Sequence, residues 1–449
     1  MNVLESFIEK INAVGEKQIP VHVIHRVKLA LLDYIGVTLA GRREQSNKLT
    51  RLIGSFGEKG GEIYPVGMST PMSMNNAVFI NGLNGHALDF DDGTNAGIIH
   101  LGSPIFSVLL ALVQKYEMSG EDLLRAVVIG YETSFTMARS IQPTHKYRGY
   151  HATATCGLLG IAMASSMVLG FDEFQKKQAL STAALSASGT LKVLEDSSQL
   201  KPYNVGKTAL LGLVAVQMAN AGFIGPEDAF SGVAGYLSQM YGSEKVDFVP
   251  CLLDGTYAIE KAYIKPYAAC RYTHPSIDVA VYMRKKRLVS VEEIEDVKIK
   301  TYSLAVKNHD HTDIKGSASA KMSIPYNFAV TYLTGKTGMD AFSPDVLDNM
   351  SIRALAKKVV VEEDAQMTAV FPQETMASVE VHLKGDTILE GKSILPKGEP
   401  ENPLSDEEVI AKFINLAMYG EKTFEEANKI VDAVMKLETE LPLLLHLLR

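Results

Sequence analysis

One stretch of the sequence, residues 86–104, concentrates side chains that can move protons. It contains two histidines and three aspartates: His86, Asp89, Asp91, Asp92 and His100. Carboxylates and imidazoles at short separation are the groups that general acid–base catalysis uses. Apolar segments on both sides, residues 76–83 and 105–112, predict buried helices, so the polar residues occupy a loop between rigid supports. The alternative is a solvated acidic loop with helix caps, and other segments must decide between the two.

A further histidine, His151, stands just before residues 158–169, a segment rich in alanine and glycine that predicts a closely packed helix. A helix N-terminus lowers the pKa of a nearby imidazole and keeps it neutral near pH 7, where it can accept a proton. We therefore expect His151 to act as a general base. The alternative is a histidine that only caps the helix or fills the core.

Two lysines, Lys201 and Lys207, lie in the segment Lys201-Pro-Tyr-Asn-Val-Gly-Lys-Thr. Its Gly-Lys-Thr ending superficially resembles a phosphate-binding loop. That motif requires a glycine five residues before Gly206, where this chain has Lys201, and a preceding strand, which the sequence does not predict. We reject the phosphate-loop interpretation. The two lysines remain at the start of a predicted helix, which is a reasonable site for binding an anion.

A second basic group lies in the segment Lys265-Pro-Tyr-Ala-Ala-Cys-Arg-Tyr-Thr-His, which places Lys265, Arg271 and His274 within ten residues. A lysine can pair with a substrate carboxylate, and an arginine can bind one with two parallel hydrogen bonds. We predict that these three residues bind substrate. A solvated basic patch is the alternative.

Two further segments carry residues with catalytic or metal-binding chemistry. Ser323-Ile-Pro-Tyr predicts a helix that begins at Pro325 and holds Tyr326 in its first turn, where it is either a general acid or a core tyrosine. His309-Asp-His-Thr-Asp resembles a metal-ligand cluster, but its spacing fits an exposed polar loop at least as well. The three cysteines form no Cys-x-x-Cys pair. We therefore predict no metal site in these segments.

The elements that must position these residues change in character along the chain. Up to about residue 230 the apolar residues recur at helical spacing, as in residues 21–40 and 121–140. Beyond residue 232 the pattern is α+β. Four segments there alternate or run apolar with β-branched residues and predict strands at residues 297–302, 358–363, 378–383 and 387–392, in addition to a short one at 262–266. A helix is predicted over residues 343–355.

Two amphipathic helices, residues 405–419 and 424–437, close the chain and cannot bury their apolar faces alone. We expect them to return to the first domain. The predicted fold class is mainly α, with a large all-helical domain and a smaller α+β lid domain. The predicted boundaries are 1–262 for the first part of the helical domain, 263–396 for the lid, and 397–449 for the returning helices.

The overall composition limits the classes of function. The chain has 449 residues with a formal net charge of −8, and it has no long basic run. A nucleic-acid partner is therefore not expected. No apolar stretch reaches the length of a membrane span, and the acidic amphipathic start is not a signal peptide. The few scattered cysteines favour a reducing cytoplasm.

Taken together, a series of segments resembles the MmgE/PrpD family, which includes 2-methylcitrate dehydratase, cis-aconitate decarboxylase and iminodisuccinate epimerase. The matching segments span most of the chain: Gly85-His-Ala-Leu-Asp-Phe-Asp-Asp, Gly149-Tyr-His-Ala-Thr-Ala-Thr-Cys-Gly, Lys201-Pro-Tyr-Asn-Val-Gly-Lys-Thr-Ala, Gly222-Phe-Ile-Gly-Pro, Lys265-Pro-Tyr-Ala-Ala-Cys-Arg-Tyr-Thr-His, Ser323-Ile-Pro-Tyr and Asn402-Pro-Leu-Ser. The resemblance implies a homodimer without metal or organic cofactor and a site between the two domains. The implied site residues are Asp89, His100, His151, Lys201, Lys265 and Tyr326.

One departure from the family pattern concerns the substrate. Family members commonly have Asp-Asp-Thr where this chain has Asp91-Asp92-Gly93, and Thr94 follows one residue later. Thr94 is counted among the predicted substrate-binding residues. The spacing to His100 is also one residue longer, and Leu101 follows where the family usually has proline.

The chemistry that the resemblance implies is formation or quenching of a carbanion next to a carboxylate. Cationic neighbours stabilise the developing enolate, and Lys201, Lys265 and Arg271 are the candidates. His151 is the preferred base and Asp89 the second choice, with His100 or Tyr326 as the acid. We predict a cofactor-independent lyase acting on a small di- or tricarboxylate, with dehydration of the 2-methylcitrate type as the leading reaction. A decarboxylase, an epimerase and a non-catalytic carboxylate-binding protein are the alternatives.

Overall fold

The computed structural model of this chain describes residues 1–58, 60–116, 118–194 and 198–449. These residues form two compact units, one made of residues 1–192, 200–264 and 405–449, and the other of residues 193–199 and 265–404. The prediction placed the corresponding boundaries at residues 263 and 397. Across the described residues, none of the helices is long and apolar enough to cross a membrane.

The first unit is built from helices. Its N-terminal part contains α1 (Val3–Gly15), α2 (Val21–Glu44), α3 (Ser46–Ser55), α4 (Met74–Gly85), α5 (Gly102–Tyr116), α6 (Gly120–Ile141), α7 (Thr144–Tyr147), α8 (Ala152–Thr155), α9 (Gly157–Val168), α10 (Glu173–Ser186), α11 (Lys201–Asn220) and α12 (Tyr236–Met240). Helices α5 and α9 are apolar on nearly all sides and lie in the interior, as expected for helices without a polar face. Shorter helices and loops connect the long ones.

Two glycines allow α4 and α11 to pack closely. A Cβ atom on Gly82 would lie 2.9 Å from the Cα atom of Gly206, so only residues without side chains fit at this crossing. Helix α4 leads into the loop that holds the aspartates, and α11 begins with Lys201. The close packing of these two helices therefore fixes the lysine relative to the aspartate loop.

The second unit combines short helices with one sheet. In chain order it contains α13 (His274–Lys286), β1 (Ile294–Thr301), α14 (Ser303–Val306), α15 (Ser317–Met322), α16 (Ile324–Thr334), α17 (Pro344–Leu347), α18 (Met350–Ala356), β2 (Val359–Glu363), α19 (Ala365–Val370), β3 (Ala377–Leu383) and β4 (Thr387–Ser393). The strand order is β2-β1-β3-β4, and only the β1–β2 pair is parallel. Buried and less buried residues alternate along β3, so one face of the sheet packs against the interior.

The chain then returns to the helical unit with α20 (Asp406–Tyr419), α21 (Phe424–Met435) and α22 (Leu437–Leu447). Helix α20 packs along α2. It also supports the aspartate loop, because Lys412 donates a hydrogen bond to the carbonyl oxygen of Phe90 at 2.9 Å and forms an ion pair with Asp33. The C-terminal helices are therefore part of the structure that holds the candidate site.

The predicted fold class, mainly α with a smaller α+β part, is confirmed. Two predicted elements are wrong. Residues 262–266 form no strand, because Tyr263 pairs only with Gly93 in an isolated bridge. The helix predicted over residues 343–355 is divided into α17 and α18, because the side chain of Asn349 caps a new helix by accepting hydrogen bonds from the backbone of Ser351 and Ile352.

Candidate active site

The aspartate loop connects α4 to α5, as the flanking apolar segments predicted. Asp89 has a φ of 52°, in the left-handed region that aspartate tolerates better than most side chains. Strained backbone conformations of this kind recur where a fold positions functional groups. The backbone amide of His100 donates a hydrogen bond to Thr153 Oγ1 at 3.0 Å, which ties the end of the loop to α8.

Asp91 organises the polar centre of the loop. Its carboxylate lies 2.9 Å from His86 Nδ1 and accepts a hydrogen bond from Ser103 Oγ at 2.8 Å. His100 Nδ1 lies 3.4 Å from the same carboxylate. The rings of His86 and His100 meet edge to face with their centroids 4.6 Å apart. One buried carboxylate therefore orients two histidines.

Asp92 attaches the loop to helices α5 and α6. Its carboxylate accepts hydrogen bonds from Gly102 N at 2.8 Å and from the hydroxyl of Tyr131 at 2.7 Å. Its backbone carbonyl lies 2.7 Å from His100 Nδ1. Burial raises the pKa of Asp92 to about 7, although the two hydrogen bonds act in the opposite direction. Asp92 holds the loop and His100 in place through its backbone and side chain together.

Asp89 and Lys201 form the charged part of the site. Lys201 Nζ lies 2.7 Å from Asp89 Oδ1, and the lysine is the first residue of α11. His100 Nε2 lies 3.8 Å from the same oxygen atom. The structure thus brings together three residues that the sequence analysis selected from two separate segments. Both side chains of the ion pair are largely buried, with 14% of Lys201 and 7% of Asp89 exposed.

His151 completes this group. Its ring centroid lies 5.9 Å from that of His86, and its Nδ1 lies 3.4 Å from the side-chain nitrogen of Asn204. The pKa of His151 lies well below its usual value, first because burial disfavours the charged form and then because of His86, Lys201 and His100. The sequence predicted a lowered pKa for His151 but attributed it to a helix N-terminus. The helix that follows His151 is only the four-residue α8, and burial dominates.

The other predicted residues of the helical unit have different contacts. Lys207 donates hydrogen bonds to the carbonyl and hydroxyl oxygens of Ser188 at 2.7 Å and 3.0 Å. Thr94 is buried, and its hydroxyl accepts a hydrogen bond from Gly97 N at 3.2 Å. The Lys207 ammonium is thus bonded to Ser188, whereas that of Lys201 lies beside Asp89.

Packing explains why residue 93 is a glycine. A Cβ atom on Gly93 would lie 2.6 Å from the hydroxyl of Tyr263 and 2.8 Å from the carbonyl oxygen of Ile99. The backbones of Gly93 and Tyr263 also exchange two hydrogen bonds, at 2.8 Å and 3.3 Å. A threonine at this position would therefore require the surrounding loop to move, which gives the departure from the family pattern a physical basis.

The remaining predicted residues belong to the second unit. Arg271 Nε lies 3.2 Å from Glu399 Oε1, and Arg271 Nη1 lies 2.8 Å from His274 Nδ1. His274 Nε2 in turn lies 3.2 Å from the carbonyl oxygen of Ala269. Both His274 and Lys265 are completely buried. Arg271 and His274 thus form a closely bonded network inside this unit.

Tyr326 is also completely buried, and its hydroxyl donates a hydrogen bond to the carbonyl oxygen of Ala341 at 2.7 Å. Burial raises the pKa of Tyr326 far above its usual value. This environment resembles that of the core tyrosine that the sequence analysis kept as the alternative.

One group of residues has the geometry to hold a cation, judged on the residues that the structure describes. His86, Asp89, Asp91 and His100 offer ligand atoms that lie within 4.8 Å of one another. The ammonium of Lys201 already lies beside Asp89, and His86 Nδ1 is hydrogen-bonded to Asp91. These contacts describe a proton-transfer network at least as well as a metal site. The other segment considered for metal binding differs, since His309 Nδ1 and His311 Nε2 each contact a backbone carbonyl.

Three residues of this site were not predicted as site residues from the sequence. His86 and Asp91 were recognised in the loop but were not assigned to the site, and their contact across five residues depends on the loop conformation. Asn204 gave a weak signal, because it follows Lys201 by three residues on a predicted helix and so lies on the same face. The helical spacing alone did not indicate a contact with His151.

Chemically, the helical unit presents the ammonium of Lys201, the carboxylates of Asp89 and Asp91, and three imidazoles in a largely buried volume. Such a group can stabilise negative charge and transfer a proton without a redox centre. Four of the six residues that the resemblance implied, Asp89, His100, His151 and Lys201, lie in this group, whereas Lys265 and Tyr326 belong to the second unit. The MmgE/PrpD N-terminal domain family matches residues 5–249, and the MmgE/PrpD C-terminal domain family matches residues 267–437. The chain belongs to the MmgE/PrpD family.

Several curated relatives within the MmgE/PrpD family are similar over nearly the whole chain. The cis-aconitate decarboxylase of Mus musculus is 25% identical over 452 residues, covering 97% of this chain and 91% of the relative. The cis-aconitate decarboxylase of Homo sapiens is 24% identical, covering 97% and 92%. That of Aspergillus terreus is 23% identical, covering 96% and 92%.

Proposed function

We propose that this protein is a cofactor-independent lyase that decarboxylates a small unsaturated tricarboxylate of the cis-aconitate type. The observation that carries the proposal is the buried group formed by Lys201, Asp89, His100 and His151 in the helical unit. The names of the relatives add the reaction type, because the decarboxylases match more than nine-tenths of this chain.

Decarboxylation needs two things from the protein. When the carbon–carboxylate bond breaks, its electron pair stays on the substrate carbon and spreads into a conjugated neighbouring carboxylate. A cation must stabilise that charge, and Lys201 is suited to this role because a lysine ammonium has three N–H donors. A protonated side chain must then deliver a proton to the carbon, so that substrate plus one proton gives product plus carbon dioxide. Imidazole is the side chain that most readily gains and loses a proton near neutral pH, so the histidines of the site are the candidates for this step.

Dehydration, which the sequence analysis placed first, requires in addition an acid that protonates the departing hydroxyl group. Tyr326 is one of the two acids proposed for that step, but its hydroxyl donates a hydrogen bond to the carbonyl oxygen of Ala341. His100 remains as an acid for either reaction, so the similarity to the decarboxylases is what favours decarboxylation. Dehydration and epimerisation use the same base chemistry and are distinguished by the products of the test.

The test is a panel of small carboxylates incubated with the purified protein in deuterated water and followed by proton NMR. The panel contains cis-aconitate, 2-methylcitrate, citrate and aspartate-derived dicarboxylates. We expect cis-aconitate to lose one carboxylate as carbon dioxide and to gain one carbon-bound deuterium per product molecule. Loss of water from 2-methylcitrate, with no reaction of cis-aconitate, would replace the proposal by the dehydratase. Binding without turnover of any compound would leave only a carboxylate-binding protein.

A further inference from the structure

Two histidines of the site, His100 and His151, differ in which ring nitrogen carries the proton. His100 Nδ1 lies 2.7 Å from the backbone carbonyl oxygen of Asp92. A carbonyl oxygen only accepts hydrogen bonds, so His100 Nδ1 must be protonated. Any proton that His100 gains or loses is therefore exchanged at Nε2, the atom that lies 3.8 Å from Asp89 Oδ1.

His151 has the opposite arrangement. Its Nδ1 lies 3.4 Å from the side-chain nitrogen of Asn204, and the same nitrogen lies 3.5 Å from the carbonyl oxygen of Thr190. The Thr190 carbonyl fixes the orientation of the amide, because the reverse orientation would place two acceptor oxygens together. The amide group of Asn204 is therefore the donor, and His151 Nδ1 accepts. A neutral His151 then carries its proton on Nε2.

The charges around His151 keep it in this neutral form. Burial lowers its pKa most, and the nearby His86, Lys201 and His100 lower it further, while Asp89 acts in the opposite direction. His151 is only 6% exposed and Asn204 only 3% exposed. Neither ring nitrogen of His151 is arranged to accept a proton from a substrate, because Nδ1 faces an amide donor and Nε2 already holds a proton.

We propose that His151 acts as a neutral hydrogen-bond donor through Nε2–H, that Asn204 is the positioning residue that fixes this tautomer, and that His100 Nε2 is the atom that transfers the proton. The roles in catalysis rest on the proposed function, whereas the tautomers do not. This assignment differs from the expectation based on the sequence, in which His151 was the base.

In the decarboxylation, the carbon–carboxylate bond breaks and the electron pair moves into the conjugated carboxylate of the substrate. His151 Nε2–H donates a hydrogen bond to the oxygen on which this charge collects, and it keeps its proton. The imidazolium of His100, beside the carboxylates of Asp89 and Asp91, gives its Nε2 proton to the substrate carbon. A proton from water restores the imidazolium, so that one proton is consumed in each turnover.

The first test measures the tautomers directly in the wild-type protein without substrate. Histidine is labelled with nitrogen-15, and the ring signals are assigned by their loss in His100→Gln and His151→Gln. We expect His151 to show a protonated Nε2 and an unprotonated Nδ1, and His100 to show a protonated Nδ1. A His151 that is protonated at Nδ1, or at both nitrogens near pH 7, would overturn the inference whatever the enzyme does to carboxylates.

The second test reverses the donor with Asn204→Asp, which presents a carboxylate acceptor to His151 Nδ1 in nearly the same volume. The tautomer should invert, and kcat should fall about a hundredfold, the effect of losing one oxyanion donor. The pH profile of kcat should also acquire the titration of His151. The matched control is Asn428→Asp, the same change at a half-buried position of α21, where the side chain donates a hydrogen bond to the backbone carbonyl oxygen of Phe424.

The outcomes separate the two proposals. If no carboxylate is turned over but the tautomers are as stated, the proposed function fails and the structural assignment stands. If cis-aconitate is decarboxylated and Asn204→Asp inverts the tautomer without lowering kcat, the assignment of His151 is wrong and the lyase stands. If Asn204→Asp does not fold, the spectrum of the wild-type protein decides on its own.

Discussion

Two buried clusters in this protein each combine histidine with a carboxylate but differ in how they are hydrogen-bonded. In the Arg271–His274–Glu399 cluster of the second unit, the arginine contacts both the glutamate and the histidine, and both ring nitrogens of His274 have hydrogen-bond partners. In the cluster around Asp91 in the helical unit, His86 uses only Nδ1, and its buried Nε2 has no hydrogen-bond partner among the described residues. The first arrangement stabilises a fold, and the second retains capacity to exchange protons.

The comparison shows why charge and residue type alone do not identify a catalytic group. From the sequence, both segments were candidates, because residues 86–104 combine histidines with aspartates and residues 265–274 combine a histidine with two cations. The difference lies in the hydrogen-bond and ion-pair partners, and these come from distant parts of the chain. Glu399 lies far from Arg271 in sequence, as do Lys201 from Asp89 and Asn204 from His151.

The largest effect expected from this comparison is on turnover in His100→Gln. Glutamine cannot transfer a proton, so we expect kcat to fall by about 10²–10⁴-fold, the usual contribution of a positioned acid or base. The control is His25→Gln, which removes a histidine–aspartate pair at the surface of the same unit, where His25 Nε2 lies 2.6 Å from Asp406 Oδ2. Equal turnover in both variants would remove His100 from the mechanism.

The structural cluster should respond in stability instead. Arg271→Met removes the buried ion pair with Glu399 and the hydrogen bonds to the carbonyl oxygens of Lys397 and Pro396. We expect a loss of about 3–5 kcal/mol in the free energy of unfolding, as when one partner of a buried pair is removed. Calorimetry measures it. A variant as stable as the wild type that binds substrate poorly would show instead that Arg271 is a binding residue.

Lys201 is expected to act on the transition state. Lys201→Met should lower kcat/KM by an amount equivalent to about 2–4 kcal/mol, because the developing carbanion loses its nearest cation. Lys28→Met is the control, since Lys28 also forms a partly buried ion pair in the helical unit, 2.8 Å from Glu438. A decrease of less than about threefold, or an equal decrease in the control, would contradict the role of Lys201.

A smaller effect concerns Asp92 and pH. Its pKa is raised to about 7 in the folded protein from an ordinary value of 3.8, so the protonated form favours folding. That stabilisation is complete below pH 3.8 and is lost as the pH rises through about 7. Asp92→Asn lacks this titration, so its melting temperature should rise relative to that of the wild type between pH 5 and pH 8. A constant difference would contradict the raised pKa.

Much of the fold could be predicted from the sequence because the patterns are local. Alternation identified all four strands of the sheet, and helical spacing identified the long helices around the aspartate loop. The strand predicted at residues 262–266 failed because its pairing depends on a single bridge to Gly93, which no local pattern encodes. The helix predicted over residues 343–355 failed because the capping role of Asn349 was overlooked.

The site was predictable only in part. Local patterns identified the polar loop and the helix starts, and the family resemblance selected Asp89, His100, His151 and Lys201 from them, which the structure brings together in the helical unit. The tautomers of the two histidines could not be predicted, because they depend on the Asp92 carbonyl and on the Asn204 amide. Residue identity gives the chemistry that is available, but the hydrogen-bond partners decide which atom carries it out.

The most direct test of the central claim combines metal removal with product analysis. The purified protein is dialysed exhaustively against a chelator and then given cis-aconitate in deuterated water. We predict undiminished release of carbon dioxide and one deuterium per product molecule, because the proton comes from His100 and the charge is stabilised by Lys201. Activity that disappears on chelation and returns with one added divalent cation would contradict the account and would make His86, Asp89, Asp91 and His100 a metal site.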